Sequence, residues 1–234
     1  GGASTNINDN VLISIGAPTN NYQPVRDLAQ SDNSYYGKII SINIKNIIKS
    51  LNKNEKVSVS IFSKGHRNPQ GLENINNKIF STEHGPKGGD ELNYITKNSN
   101  YGWPISSYGT KYENISSAAY KLNHSKHGFV EPLFQFTPSV AISDLVKCTK
   151  QLIDYYEREG CLIATSLKEQ SLIIFLLSEK LDRVIGSEII DFGQRLRHIA
   201  KKKNGEIFSD IDGSIFMSTD QGNVIKAYFN LVKE

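Results

Sequence analysis

The residues best suited to chemistry in this chain include a polar loop, GHRNPQGL, at residues 65–72, in which Arg67 and Asn68 are adjacent. The planar guanidinium of an arginine offers a fixed fork of donors, and an asparagine amide adds both a donor and an acceptor. The pair therefore suits a ligand with carboxylates or quinone oxygens. A structural turn in which Asn68 precedes Pro69 accounts for the same residues equally well.

A second candidate is the stretch TEHGPKGGDELNYITKNSNYGWP, at residues 81–103. Gly85 and Pro86 can leave backbone carbonyls free. Asp90 and Glu91 add carboxylates, which completes the hard-oxygen ligand set that calcium prefers. The spacing differs from that of an EF-hand, and on composition alone a glycine-rich turn with solvated acids is favoured.

Three further cations lie in the second half of the chain. Lys168 directly follows the strand-like run CLIATSL, a position where a lysine is usually only solvated. Arg195 and Arg197 would share one face of an extended segment. Because two arginines on one face repel each other unless an anion lies between them, either a surface pair or an anion site accounts for them.

Composition and charge narrow the classes of function. The chain of 234 residues has 27 basic and 24 acidic residues, a net charge of +3 that is too balanced to indicate a nucleic-acid partner. No stretch approaches the roughly 18 apolar residues of a membrane span, and residues 1–30 do not resemble a signal peptide. Cys148 and Cys161 could pair in an oxidising compartment or remain buried thiols.

The elements that must position these residues are predicted to be β-strands. Short β-branched runs bounded by Gly, Asn, Asp and Ser are typical of antiparallel β structure. They are found at residues 11–15, 38–44, 57–62, 78–82, 161–167, 171–178, 188–192, 206–211, 214–219 and 224–229. Only residues 143–159 have a helical pattern, with Ser143 as the candidate N-cap.

The spacing of the strands indicates a propeller. The last three runs are separated by Asp-Gly and Gln-Gly turns and resemble most of one propeller blade. A blade takes about 40 to 50 residues, so the chain holds roughly five. Because no proline-rich or low-complexity linker divides it, residues 1–234 are predicted to form a single, incomplete β-propeller domain.

The order of the motifs resembles the soluble pyrroloquinoline quinone (PQQ) dependent aldose dehydrogenases, the glucose/sorbosone dehydrogenase family. The matching segments are G-x-R-N-x-Q-G-L, E-x-G-P-x-G-G-D-E-L-N, N-Y-G-W-P, S-L-K and R-L-R, in that order from residue 65 to residue 197. GKIISIN at 37–43 is similar to a strand of the same family. The resemblance implies an all-β, six-bladed β-propeller, of which this chain covers roughly five blades.

The resemblance also implies a site for PQQ and a calcium ion. It places Arg67 and Asn68 at the catalytic centre, against the quinone and the substrate. It assigns the calcium ion to Gly85, Pro86 and Glu91. The other cofactor-binding residues that it implies are His84, Asp90, Lys168, Arg195 and Arg197, of which the lysine and the arginines would neutralise the carboxylates of PQQ.

The implied reaction is the oxidation of an aldose at C1 to a lactone, with an external electron acceptor and with a histidine as the base. That histidine is expected just upstream of Gly1, on a missing N-terminal segment or a second chain. Ala17 stands where the family has an acid, so a non-catalytic binding or scaffold propeller is the alternative. The family resemblance implies a periplasmic or extracellular location.

Overall fold

β-Strands dominate the computed structural model, which describes residues 2–18, 23–112, 119–202, 206–210 and 213–231. The chain divides into two compact units, Gly1–Ser139 and Val140–Glu234. The described strands form four antiparallel sheets, in each of which every strand pairs with its neighbours in sequence. These meandering sheets confirm the all-β class, and each has the form of a propeller blade.

The first unit contains two sheets of four strands each. The first sheet consists of β1 (Ser4–Ile7), β2 (Asn10–Ile15), β3 (Lys38–Asn43) and β4 (Ser60–Lys64). The second consists of β5 (Pro69–Ile75), β6 (Lys78–Glu83), β7 (Asp90–Ile95) and β8 (Phe134–Phe136). Two helices, α1 (Gln23–Asp27) and α2 (Ile44–Lys53), and a 3-10 turn (His124–His127) complete the unit.

The second unit contains the other two sheets. One consists of β9 (Ile142–Lys147), β10 (Cys161–Ser166), β11 (Ser171–Leu177) and β12 (Val184–Asp191). The other consists of β13 (Leu196–Ile199), β14 (Ile215–Thr219) and β15 (Val224–Ala227). Helix α3 (Lys150–Tyr156) connects β9 to β10.

Local sequence explains how these strands turn and pack. β5 and β6 are joined by Asn76 and Asn77, both with positive φ, which is the geometry that tight hairpins need and that asparagine tolerates. One core cluster of the first unit consists of Leu12, Ile39, Leu72, Ile79, Ile95 and Tyr101. In the second unit a disulfide joins Cys148 to Cys161 within the apolar core, so these two residues are not free thiols.

The helix predicted over residues 143–159 is wrong in its first half. Residues 142–147 form β9, which pairs with β10, and the helix begins only at Lys150. The Thr149 hydroxyl caps it by accepting a hydrogen bond from the backbone N–H of Leu152. Ser143 is not the cap, since its hydroxyl donates to the Arg197 carbonyl at 2.9 Å. Cross-strand pairing has overridden the helical spacing here.

Two further expectations need correction. The run at 206–211 forms only isolated bridges in its described part, 206–210, and β13 provides the first strand of that sheet. Helix α2 was not predicted, because its closely spaced isoleucines favour a strand on propensity. No helix in the described part of the chain is long and apolar enough to cross a bilayer.

Candidate functional site

His66 is a buried structural residue at the start of the Arg67 loop. Its Nδ1 lies 3.1 Å from Glu83 Oε2, and its Nε2 lies 2.8 Å from the Ser63 hydroxyl. Its ring also stacks on Tyr101, with 4.6 Å between the centroids. Because both ring nitrogens are engaged inside the protein, His66 is not available as a base toward a ligand.

Arg67 is held in place next to Trp103. Its guanidinium carbon lies 5.4 Å from the centre of the Trp103 ring, and its Nη1 donates to the His84 carbonyl at 2.9 Å. The side chain is buried, and this burial lowers the pKa of the guanidinium below its ordinary value. Its Nε–H has no hydrogen-bond partner among the described residues. An unpaired donor on a buried cation is costly unless a ligand or water satisfies it.

Asn68 and His84 are brought beside Arg67 by the pairing of β5 with β6. The backbone N–H of His84 donates to the Asn68 carbonyl at 3.2 Å. The Asn68 side-chain oxygen accepts a hydrogen bond from Gln70 Nε2 at 2.9 Å, which fixes the orientation of the amide. The structure thus places Arg67, Asn68 and His84 side by side.

The loop that follows β6 depends on its glycines. A Cβ atom on Gly85 would lie 2.1 Å from the Gly88 carbonyl oxygen, and one on Gly109 would lie 2.2 Å from the same oxygen. The backbone N–H of Gly85 donates to Asp90 Oδ1 at 2.9 Å, and the Ser139 hydroxyl donates to Asp90 Oδ2 at 2.7 Å. Asp90 therefore acts on the site by fixing this loop.

Pro86 presents its carbonyl oxygen to a tyrosine. The Tyr112 hydroxyl donates to that oxygen at 2.7 Å. A carbonyl oxygen has two lone pairs, so a second ligand can still bind there. Tyr112 gave no signal in the sequence, because it follows Pro86 by a long stretch of chain and neither residue is part of a periodic pattern.

Glu91 faces away from Asp90, because successive residues of β7 point to opposite faces. It is paired across the sheet with Glu83, and both side chains are buried. Its Oε2 accepts from Asn93 at 3.0 Å, and its Oε1 lies 3.8 Å from His124 Nε2. Burial raises the pKa of Glu91 well above its ordinary value, and the Glu83 carboxylate raises it further.

Four of the predicted residues of the first unit line a small cavity of about 10 Å³, and Asn68, Pro86 and Asp90 are not among its lining residues. This volume matches one water molecule. Trp103 also lines the cavity, and its indole N–H has no hydrogen-bond partner within the ranges that the structure describes. The residues that line the cavity and belong to the predicted site are Arg67, His84, Gly85 and Glu91.

The Glu83–Glu91 pair predicts a pH-dependent stability. Because the pKa of Glu91 is higher in the folded than in the unfolded chain, its stabilising contribution is full below the unfolded pKa of about 4.3 and is lost as the pH rises toward the folded pKa. The variant Glu91→Gln mimics the protonated form, so we expect it to remove this decline. Chemical denaturation at about pH 5 and about pH 8 measures it.

Glu83→Gln is the matched comparison. This variant weakens the interactions of the carboxylate with His66 Nδ1 and with the backbone N–H of Arg67. We expect it to lower the free energy of unfolding by about 1–3 kcal/mol at about pH 5. At about pH 8 the loss should be smaller, because removing the Glu83 charge also lowers the raised pKa of Glu91. If the free energy of unfolding fell equally between about pH 5 and about pH 8 in the wild type and in Glu91→Gln, the decline would not come from the ionisation of Glu91.

In the second unit, Arg195 and Arg197 share one counter-ion. Arg195 Nε donates to Asp220 Oδ2 at 3.0 Å, and Arg197 Nε donates to Asp220 Oδ1 at 2.7 Å. Partial burial opposes ionisation of Asp220, but the hydrogen bonds from Arg197 and Arg195 outweigh it and lower the pKa of this carboxyl. Of the two alternatives that the sequence left open, an anion therefore lies between the arginines, and it is Asp220, which sequence reasoning missed.

Lys168 lies near the same arginines. Its backbone N–H donates to the Val140 carbonyl at 3.0 Å, and its side chain is exposed. Arg195 Nη1 donates to the carbonyl of Leu167, the preceding residue, at 3.3 Å. The three cations predicted in the second half of the chain therefore lie close together within their own unit.

The comparisons with known proteins agree on one family. Residues 4–224 match the family model described as Glucose / Sorbosone dehydrogenase. An uncharacterized protein of Synechocystis is 33% identical over 204 residues, which cover 85% of this chain and 46% of that protein. Quinoprotein glucose dehydrogenase B of Acinetobacter calcoaceticus is 42% identical over 95 residues, 38% of this chain and 20% of that protein.

A solved structure extends the comparison to the fold. The apo-form of the soluble aldose sugar dehydrogenase from Escherichia coli superposes with a TM-score of 0.71 at 25% identity, covering 93% of this chain and 60% of that one. This likeness confirms the propeller class of the fold. The chain spans about half the length of the curated relatives that it matches over 204 residues. With a family match that extends from residue 4 to residue 224, the chain belongs to the glucose/sorbosone dehydrogenase family.

Proposed function

We propose that this chain forms the cofactor-binding part of a PQQ- and calcium-dependent sugar dehydrogenase, which oxidises an aldose at C1 to a lactone. One observation carries the proposal. Arg67 is a buried cation with an unpaired Nε–H donor among the described residues, and it lines a cavity together with His84 and Gly85. The match of the chain to the sugar dehydrogenase family supports the same function.

The donor set of the chain fits PQQ, which has carboxylates and quinone oxygens. In the first unit, Arg67 would donate to the quinone through its free N–H, and Asn68 would bind beside it. The family resemblance assigns the carboxylates of PQQ to three cations of the second unit, Lys168, Arg195 and Arg197. The two arginines already share Asp220 as a counter-ion. When it is bound, PQQ supplies the hydride acceptor for the sugar. The roles of these residues are to bind, to orient and to compensate charge.

We place the proposed calcium ion at the loop after β6, where backbone oxygens would be its ligands. No three His, Cys, Asp or Glu side chains in the described part of the chain form a group that could hold a metal ion. Backbone carbonyls are suitable ligands for calcium, and we propose those of Gly85 and Pro86. The assignment of Glu91 to the ion is less favourable, because a carboxyl with a raised pKa that faces Glu83 is a poor ligand for a cation.

Calcium titrations separate these assignments. We expect calcium to increase the affinity of the chain for PQQ, and we expect Glu91→Gln to keep that increase in full. Tyr112→Phe removes the hydrogen bond to the Pro86 carbonyl and should change the calcium affinity by a few fold, about 1 kcal/mol. If Glu91→Gln abolished the calcium effect while the fold persisted, Glu91 would be a ligand.

The activity test uses the polypeptide together with any residues that are encoded upstream of Gly1, where the family resemblance places the histidine base. The protein is loaded with PQQ and calcium, and the reduction of a dye by a panel of aldoses is followed. We expect dye reduction that requires the cofactor and the sugar. No cofactor-dependent signal with any aldose would contradict the proposed reaction.

The proposal includes an external electron acceptor and a periplasmic or extracellular location. The Cys148–Cys161 disulfide supports such a location, because disulfides persist mainly in oxidising compartments.

A second candidate function is that of a non-catalytic binding or scaffold propeller. The observation that favours it is Ala17, which packs in an apolar cluster with Ala29, Trp103 and Tyr120 at the position where the resemblance implies an acid. A scaffold of this kind would bind neither PQQ nor calcium. Tight binding of both would rule out a pure scaffold, and no binding of either would favour it over the enzyme.

A further inference from the structure

Helix α2 carries an apolar stripe that the first unit does not cover. Ile44, Ile48 and Leu51 are spaced so that they share one face of the helix. Their exposed fractions are 36%, 56% and 72%. The buried side of the helix is a different face, where the Ser50 hydroxyl donates to the Lys56 carbonyl at 3.4 Å.

The polar face of α2 is basic. Lys45, Lys49 and Lys53 recur every four residues, and the helix contains no acidic residue. Lys45 pairs with Asp9 at 3.1 Å, but both side chains are well exposed, so the pair does little to cancel the charge. Just beyond the helix, Glu55 and Lys56 carry opposite charges and add nothing to the net charge. An exposed apolar stripe flanked by lysines is typical of helices that lie in the surface of an anionic membrane.

The helix is formed and anchored without a partner. The Asn43 side chain accepts hydrogen bonds from the backbone N–H groups of Lys45 and Asn46, and Asn54 ends the helix in a left-handed conformation. The backbone N–H of Ile44 donates to the Asp9 carbonyl at 2.9 Å, which ties the helix to the turn before β2. Because both ends are capped, binding would not have to supply the cost of folding the helix.

The position of α2 leaves the candidate site accessible. β2 runs from Asn10, at the α2 end of the sheet, to Ile15, and shortly afterwards the backbone N–H of Ala17 donates to the Arg67 carbonyl at 2.7 Å. A strand of this length spans about 20 Å. A surface bound through α2 would therefore lie at the end of the first sheet opposite to Arg67.

We propose that α2 is a docking helix that binds the first unit to the surface of an anionic lipid bilayer. The apolar stripe would enter the boundary between headgroups and acyl chains, and the lysines would contact the lipid phosphates. The proposal is independent of cofactor binding.

Co-sedimentation with lipid vesicles tests the proposal on the full chain. We expect binding to phosphatidylglycerol vesicles that weakens as the salt concentration rises, and little binding to phosphatidylcholine vesicles. The double variant Ile48→Ser with Leu51→Ser should lower the affinity at least about tenfold. Ile189→Ser is the matched control, since Ile189 is 57% exposed on β12 and Ile48 is 56% exposed on α2.

A second set of variants tests the contribution of the α2 lysines to vesicle binding. Lys49→Glu should lower the affinity for phosphatidylglycerol vesicles about tenfold, whereas Lys97→Glu, at an exposed lysine in the turn after β7, should leave it unchanged. Circular dichroism confirms that each variant is folded. No binding by the wild type, or equal binding by the serine double variant, would overturn the proposal. Self-association that is lost in the serine double variant, without vesicle binding, would assign the stripe to a second copy of the chain and would also overturn it.

Discussion

Replacing Arg67 with alanine is expected to lower the affinity of the chain for PQQ by roughly 10- to 100-fold, which corresponds to the loss of one hydrogen bond to a charged group. Among the described residues of the predicted site, Arg67 is a buried cation whose Nε–H donor has no hydrogen-bond partner. Arg67→Lys should recover little of the loss, because a lysine keeps the charge but not the planar fork of donors.

The chain contains a suitable probe for this measurement. Trp103 is its single tryptophan, and the ring lies 5.4 Å from the Arg67 guanidinium carbon. We expect PQQ to quench the emission of Trp103 in the wild type. Arg183→Ala, at an exposed arginine outside the site, is the control and should bind as the wild type does. Wild-type affinity in Arg67→Ala would remove Arg67 from the cofactor site.

Gly85→Ala should produce the second large effect, on both stability and binding. Its Cβ atom would lie 2.1 Å from the backbone oxygen of Gly88, so the loop cannot accept it without rearranging. We expect the free energy of unfolding to fall by about 1–3 kcal/mol, as for other overpacked sites. The same rearrangement should displace the proposed calcium carbonyls and abolish the effect of calcium on PQQ affinity.

The control for Gly85→Ala is a glycine with space around it. A Cβ atom on Gly186, in β12, would have its nearest neighbour at 3.6 Å, in the Leu176 side chain. Gly186→Ala should therefore unfold close to the wild type and keep the calcium response. Denaturant unfolding and calcium titration of the two variants give the comparison. An unchanged calcium response in Gly85→Ala would show that the ion does not bind through this loop.

Local patterns in the sequence predicted much of the fold, because most strands are bounded by turn residues that act over a few positions. β2, β3, β6, β10 and β11 were found in this way. β9 was assigned to a helix, because its pairing with β10 depends on residues beyond an intervening helix. α2 was missed because its isoleucines suit a strand as well as the apolar stripe of a helix.

The sequence predicted only part of the site, because many of its contacts come from tertiary pairing. Arg67, Asn68 and His84 interrupt strand patterns, so their residue types were visible in the sequence. Their partners were not. Asp220 directly follows β14 and pairs with Arg195 and Arg197 because β13 and β14 are neighbours in the sheet. Glu83 faces Glu91 only because of the register of β6 and β7. Such contacts depend on tertiary pairing, which local spacing does not specify.

The most direct test of PQQ binding at Arg67 is an equilibrium titration of the chain with PQQ, in the presence and absence of calcium. The emission of Trp103 is the signal. We expect saturable binding of one PQQ per chain. Calcium should strengthen this binding, and Arg67→Ala should weaken it. The absence of saturable quenching under both conditions, with a folded chain, would contradict PQQ binding at this site.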